Sequence, residues 1–188
     1  MKPRSATALL NKLADRVRQN EHGARALAGL PETQLRLRPA PGSWNALEAV
    51  EHLNCTHAAY FPRVAEALDR TADYPTSPTF TSSWLGNLIA SSMKPGPRSR
   101  AVPTFNRLNP LNETLDHGVI HRYLTSNRRL AAFIAEARSA NLTRLHLRSP
   151  LLWVVRLRLG DCLRLLAYHD WRHLEQAGRA ATTGVVHG

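Results

Sequence analysis

Apolar residues recur along most of this chain at helical rather than strand spacing. Leu9, Leu10, Leu13, Val17 and Leu27 predict a first helix from about Ser5 to Leu30, closed by Pro31. Leu35 to Gly42 alternates leucine and arginine ahead of Pro39-Ala40-Pro41-Gly42, which predicts an extended connector. Ser43 is a suitable N-cap for a second helix running from Trp44 to about Arg70. Pro62 removes one of its backbone bonds and predicts a kink near Ala58 to Phe61.

From Thr71 to Pro110 the chain is rich in Pro, Ser, Thr and Gly, so only a short helix fits, around Ser83 to Met93. A connection of this length is a crossover or a lid. Leu115, Val119, Leu124, Leu130, Phe133 and Ile134 give the inner face of a third long helix, about Leu111 to Ala140. Thr143 to Leu159 alternates apolar and basic residues, a connector with one short strand. The last helix spans about Asp161 to Ala181, with Asp161 as its expected cap and Thr182 to Gly188 as a frayed tail. The whole pattern predicts an all-α protein, a four-helix bundle with a long crossover between the second and third helices, in a single domain over residues 1–188.

Composition narrows the function. A hydrophobic fraction of 43% excludes wholesale disorder, and two cysteines cannot build a four-cysteine metal site. No stretch reads as a signal peptide or a spanning helix, because Arg156, Arg158, Asp161 and Arg164 break the most apolar region. A cytoplasmic protein with no membrane partner and reduced Cys55 and Cys162 is expected. The formal charge of +11 raises the question of nucleic acid. Its arginines are spread through every segment without a reading motif, so composition bias is the better account.

The histidines carry the candidate chemistry. His169 and His173 are spaced i, i+4, which puts both imidazoles on one helix face. That spacing suits two ligands of one divalent ion, and equally two core histidines satisfied by hydrogen bonds. His117 and His121 share the spacing but sit beside Asp116 and Arg122, on what reads as a solvated face. His52 is a further candidate, one turn after Glu48, whose carboxylate is placed either to hold the imidazole in one tautomer or to form an ordinary i, i+4 helix pair with it. Cys55 lies one turn further on and reads as a small buried hydrophobe, while Glu51 and His57 are expected in solvent. Asp170 and Glu175 are expected to point away from the inward stripe, and no separate general base is evident.

Two motifs together resemble the DinB-like superfamily, also called YfiT-like metal-dependent hydrolases. Pro41-Gly42-Ser43-Trp44-Asn45-x-x-Glu48-x-x-x-His52-Leu53 is similar to the family's opening of its second helix. His169-Asp170-x-Arg172-His173-Leu174-x-Gln176 is similar to its closing His-x-x-x-His-x-x-Gln. The layout matches too, with a Pro-rich connector before the third helix and Leu157-Arg158-Leu159-Gly160 before the fourth. The resemblance implies a helical bundle with a three-histidine metal site, here His52, His169 and His173. It also implies zinc or nickel, with iron or manganese as further options, and a hydrolase or a transferase using a low-molecular-weight thiol.

The competing reading is a non-enzymatic metal or small-molecule binding module with the same site. Arg172 and the connector arginines Arg98, Arg100, Arg156 and Arg158 are candidates for attracting an anionic substrate, with a structural role the simpler reading for Arg172. The apolar run Trp84, Leu85, Leu88 and Ile89 either caps the bundle or meets a second subunit in a homodimer.

Overall fold

The computed structural model describes residues 1–96 and 104–183. Arg98 and Arg100 lie outside the described residues, as does most of the C-terminal tail. The chain is mostly helical, with four long helices: α1 (Ala6–Ala28), α3 (Ala46–Leu68), α5 (Gly118–Glu136) and α6 (Leu159–Thr182). Two shorter helices, α2 (Glu32–Leu35) and α4 (Trp84–Ser92), lie in the connections. Small strand pieces pair antiparallel: β1 (Arg4–Ser5) with β2 (Thr79–Phe80), and β3 (His146–Arg148) with β4 (Arg156–Arg158).

α1 packs on α5 and α6, and α3 packs on the same two partners. Their apolar faces fill two clusters. One holds Leu9 to Val17 of α1, Tyr60 to Leu68 of α3, Leu130 to Ile134 of α5 and Leu159 to Tyr168 of α6. The other holds Ala24 and Leu27, Ala46 to Leu53, Val119 to Leu124, and Leu174 to Ala181. On each long helix a buried polar residue separates the two groups: Asn20 on α1, His57 on α3, Asn127 on α5 and Asp170 on α6. The order of the clusters shows that α1 and α6 run one way through the molecule while α3 and α5 run the other. The long connection between α3 and α5 follows from this, because the chain must return to the end where α3 began.

Several elements differ from what periodicity suggests. A short helix, α2, stands between α1 and the expected extended connector and overlaps that connector only at Leu35. α3 opens two residues later than Trp44, because Asn45 rather than Ser43 is the cap. The Asn45 side chain accepts the N–H of Glu48, whose carboxylate accepts the N–H of Asn45, a reciprocal capping box. Gly42, at φ 74°, makes the turn into that cap, a left-handed conformation that glycine adopts without a Cβ clash. α3 continues through Pro62 to Leu68. α5 starts seven residues after Leu111, since residues 111–117 form a turn in which Asn112 takes φ 65°. The basic-apolar stretch after α5 is a full hairpin, β3–β4, rather than a single strand.

Asp161 does not cap α6, whose N-cap position is Arg158 without a side-chain cap bond. Its fully buried carboxylate instead accepts the Ser82 hydroxyl, the Ser83 N–H at 3.0 Å and the Arg164 guanidinium at 3.0 Å. Arg164 reaches on to Asn87 at 3.0 Å, so this pair ties α4 to α6. Helix α4 approaches closely enough that a Cβ on Gly86 would lie 2.3 Å from Asp161 Oδ2. On its other side Trp84 (74% exposed), Leu88 (53%) and Leu85 (38%) face out, while Ile89 packs against the apolar core. Among the described residues no helix is long and apolar enough to cross a membrane.

Gly160 carries a testable consequence. A Cβ there would lie 2.6 Å from the ring of Phe80, which is fully buried. Gly160→Ala is expected to destabilise the fold by about 1–3 kcal/mol, the usual range for overpacking, measured by urea unfolding. A cost near zero would show that β2 shifts freely.

Candidate metal centre

His52 comes from α3, and His169 and His173 come from successive turns of α6, the helix that packs against α3. The three offer ligand atoms that all lie within 4.8 Å of one another. Among the described residues this is the group of histidine, cysteine or carboxylate side chains placed to hold an ion. His52 is buried, and His169 and His173 are half-buried at the edge of a cavity. His52 Nε2 and His169 Nε2 are 3.1 Å apart. Two imidazoles sharing a tetrahedral ion at about 2.0–2.1 Å hold their nitrogens about 3.3 Å apart, so the spacing fits.

Tautomers are set locally. His52 Nδ1–H donates to the Leu108 carbonyl at 2.7 Å, which leaves the Nε2 lone pair for a ligand. His173 Nδ1–H donates to Gln176 Oε1 at 2.9 Å, with the same effect. His169 Nδ1 is buried with no partner among the described residues, so no neighbour holds that ring in the opposite tautomer. Trp44 covers the group, its ring 4.8 Å from His52 and 5.8 Å from His173, and is fixed by an Nε1–H bond to Asn109 Oδ1 at 3.0 Å.

Burial pushes all three imidazoles below the ordinary histidine value. His173 falls to about 3, through burial and then the neighbouring His52. His169 falls well below, through burial and then His173 and His52. His52 is lowered by burial against the opposing pull of the Leu108 carbonyl. Each is therefore neutral near pH 7, the state in which imidazole binds metal.

The carboxylate expected at His52 is engaged elsewhere. Glu48 accepts both Arg38 nitrogens, at 2.6 and 2.7 Å, the Asn45 N–H at 2.9 Å and the Asn112 N–H at 2.6 Å. Its work is to hold the turn after residue 36 and the loop before α5 against the start of α3. The Leu108 carbonyl takes the orienting role, and sequence offers no signal for a backbone acceptor 56 residues away. Arg172 lines the cavity and donates to the Ser92 carbonyl at 3.1 Å. Cys55 does not line the cavity. His117 is the residue before α5 and its Nε2–H donates to the Leu30 carbonyl, while His121 is exposed; neither joins the cluster.

The larger departure is His57 with Asp170, both expected outward and both buried. His57 Nε2–H donates to the Asp170 carboxylate at 3.0 Å, and the Tyr123 hydroxyl donates to it at 3.2 Å. His57 Nδ1 contacts Ser126 Oγ at 2.8 Å. Serine, histidine and aspartate in contact are the residue types of a hydrolytic triad. Here Ser126 lies inside α5, so its own N–H belongs to the helix, and its hydroxyl donates to the Tyr123 carbonyl at 3.0 Å. With its serine hydroxyl turned to a backbone carbonyl of its own helix, the set reads as a structural network joining α3, α5 and α6.

The cavity beside the histidines has a volume of about 450 Å³. It is lined by α3, α4, the β3–β4 hairpin and α6. No carboxylate and no lysine is among its described lining residues.

A model of the DinB superfamily matches residues 14–177. No curated protein and no solved structure matches the chain.

Two outcomes follow from the geometry. Because the Leu108 carbonyl, not Glu48, holds His52, Glu48→Gln is expected to lower stability by about 1–3 kcal/mol, as a loss of cap and charged hydrogen bonds. Metal content per folded chain stays unchanged in that variant, read by elemental analysis beside a thermal melt. The depressed imidazoles also set a pH dependence. The unfolded chain takes up protons near pH 6.5, which the folded state refuses until about 3 at His173. The stabilisation is complete above about 6.5 and is lost as pH falls below it. Metal-free protein is expected to melt progressively lower between about pH 6.5 and about pH 4, and His173→Ala to flatten that slope.

Proposed function

Because the chain belongs to the DinB superfamily, we propose that it holds one divalent ion between His52, His169 and His173 and acts through it on a small molecule. The reaction class is that of a metal-dependent hydrolase or a transferase using a low-molecular-weight thiol. The supporting observation is the meeting of three neutral imidazoles, from two packed helices, at the edge of a cavity of about 450 Å³. An ion bound by three imidazoles keeps coordination positions open and acts as a Lewis acid that lowers the pKa of water or a thiol. Zinc or nickel suits an all-imidazole set, with iron or manganese as the alternatives.

The chain's own residues prepare the site. The Leu108 carbonyl and Gln176 hold two imidazoles in the ligating tautomer. Trp44 covers the cluster, and the apolar walls limit water around it. Arg172 places a positive charge on the wall, suited to an anionic group on the substrate. The helices form the family's four-helix bundle in this reading, and the outward Trp84, Leu85 and Leu88 favour contact with a second copy. A cytoplasmic location and a small-molecule rather than nucleic-acid partner complete it.

One observation favours the second reading, a binding module without turnover. No carboxylate or lysine among the described lining residues stands ready to take a proton. Protein purified without an affinity tag is expected to carry one divalent ion per chain, and His52→Ala or His169→Ala to lose it, by elemental analysis. Metal-loaded wild type turning over a panel of thiols and electrophiles, with His52→Ala silent, supports the enzyme. Bound metal without turnover supports the module, and no metal after reconstitution removes the metal site from either reading.

A further inference from the structure

The lining of the cavity says more than the histidines alone. Its walls are Ile89 of α4 and Met93 just after it, Leu151, Val155 and Leu157 of the hairpin, and Leu165 of α6. The single charged side chain among the described lining residues is Arg172. Phe105 and Leu152 line the cavity yet are 42% and 47% exposed, so the apolar surface continues from the wall out to solvent. A molecule bearing many charges would lose its hydration here with little in return.

One polar strip crosses this surface. His52, Thr56 and Tyr60 stand at i, i+4 and i+8 on α3, and all three line the cavity. The Thr56 hydroxyl donates to the His52 carbonyl at 2.9 Å. Tyr60 is 4% exposed, and its hydroxyl contacts Ser149 Oγ at 3.2 Å. Ser149 Oγ also accepts the N–H groups of Leu151, at 3.2 Å, and Leu152, at 3.3 Å. Two hydroxyls carry two protons, and the contact between them uses one. With its lone pairs taken by two backbone N–H groups, Ser149 is the donor in that contact. The Tyr60 O–H then has no acceptor among the described residues. Burial pushes the Tyr60 hydroxyl up to about 12, so it keeps that proton. A ligand that supplies an acceptor there gains one net hydrogen bond.

We propose that the cavity takes an elongated, largely apolar small molecule with a Lewis-basic head group at the histidines and, about two helical turns further along α3, a carbonyl oxygen for the Tyr60 hydroxyl. The head-group part rests on the metal-site reading above. The apolar body and the carbonyl contact do not.

The test is calorimetric titration of zinc-reconstituted protein with straight-chain carboxylic acids of six, eight and ten carbons and their penultimate-ketone counterparts. At one chain length the keto acid is expected to bind about fivefold more tightly than the plain acid, the usual worth of one net hydrogen bond. In Tyr60→Phe, checked for an unchanged melting temperature, that ratio is expected to fall to about one or below. A preference absent at every length, a preference that survives Tyr60→Phe, or tighter binding of the hydrophilic thiol glutathione than of any acid would overturn the proposal. The same titrations on His52→Ala separate the two readings. Uniform weakening of all the acids with the ketone preference intact supports both. Unchanged affinities with the preference intact leave the cavity proposal standing and remove the metal from the head-group site.

Discussion

A carboxylate with no solvent exposure constrains this molecule more than any other group. Asp170 lies between the two apolar clusters, where an unpaired charge would cost far more than a small domain can spare. It is tolerated because α3 sends His57 and α5 sends Tyr123 to it. Asn127 and Asn20 extend the polar layer, donating to the Val17 and Ala167 carbonyls and tying α1 to α5 and α6. Removing one partner of such a buried pair typically costs about 3–5 kcal/mol, so the layer fixes how the helices register. It also fixes the rotation of α6. Residues adjacent on a helix point about 100° apart, so an Asp170 turned toward His57 and Tyr123 turns His169 toward the cavity, and His173 follows one turn later.

The metal-centre candidate is thus a by-product of two different demands on one helix. The early part of α6 is buried on nearly all sides, from Leu159 to Tyr168. Beyond it the helix divides into a structural polar side and a cavity side. Loops then complete the cavity side: the Leu108 carbonyl from the segment before α5 orients His52, and Asn109 anchors Trp44. The crossover has a further anchor at Asp161 and Arg164, which hold α4 over the cavity so that Ile89 and Met93 form a wall. The site is therefore assembled from long helices that set imidazole positions and from connections that set tautomers, cover and walls.

How much of this was legible in the sequence depends on how local the cause is. Helix α1, the short helix α4 near Ser83 to Met93 and the buried Val119, Leu124, Leu130, Phe133 and Ile134 follow from helical periodicity and from where the prolines fall. His169 and His173 fall on one face for the same reason. His57 and Asp170 defeated the pattern, because a polar residue in an amphipathic reading is assigned to solvent. Only a partner on another helix makes its burial acceptable, and that partner lies 113 residues away. Glu48 shows the converse. A nearby histidine one turn on suggested one partner, while Arg38 and two backbone N–H groups from either side of the helix start offered better ones.

The sequence by itself determined the helical class, the placement of the long crossover, and three histidines in two motifs of a recognisable family. These are properties of spacing within single segments, where neighbours in sequence are neighbours in space. Tertiary structure alone decided that the histidines meet, that a backbone carbonyl rather than Glu48 orients His52, and that Asp170 faces inward. It also decided that the Tyr60 hydroxyl lines an apolar cavity. Each of these depends on which distant group arrives to satisfy a buried polar atom, and desolvation makes that choice only once the helices have packed.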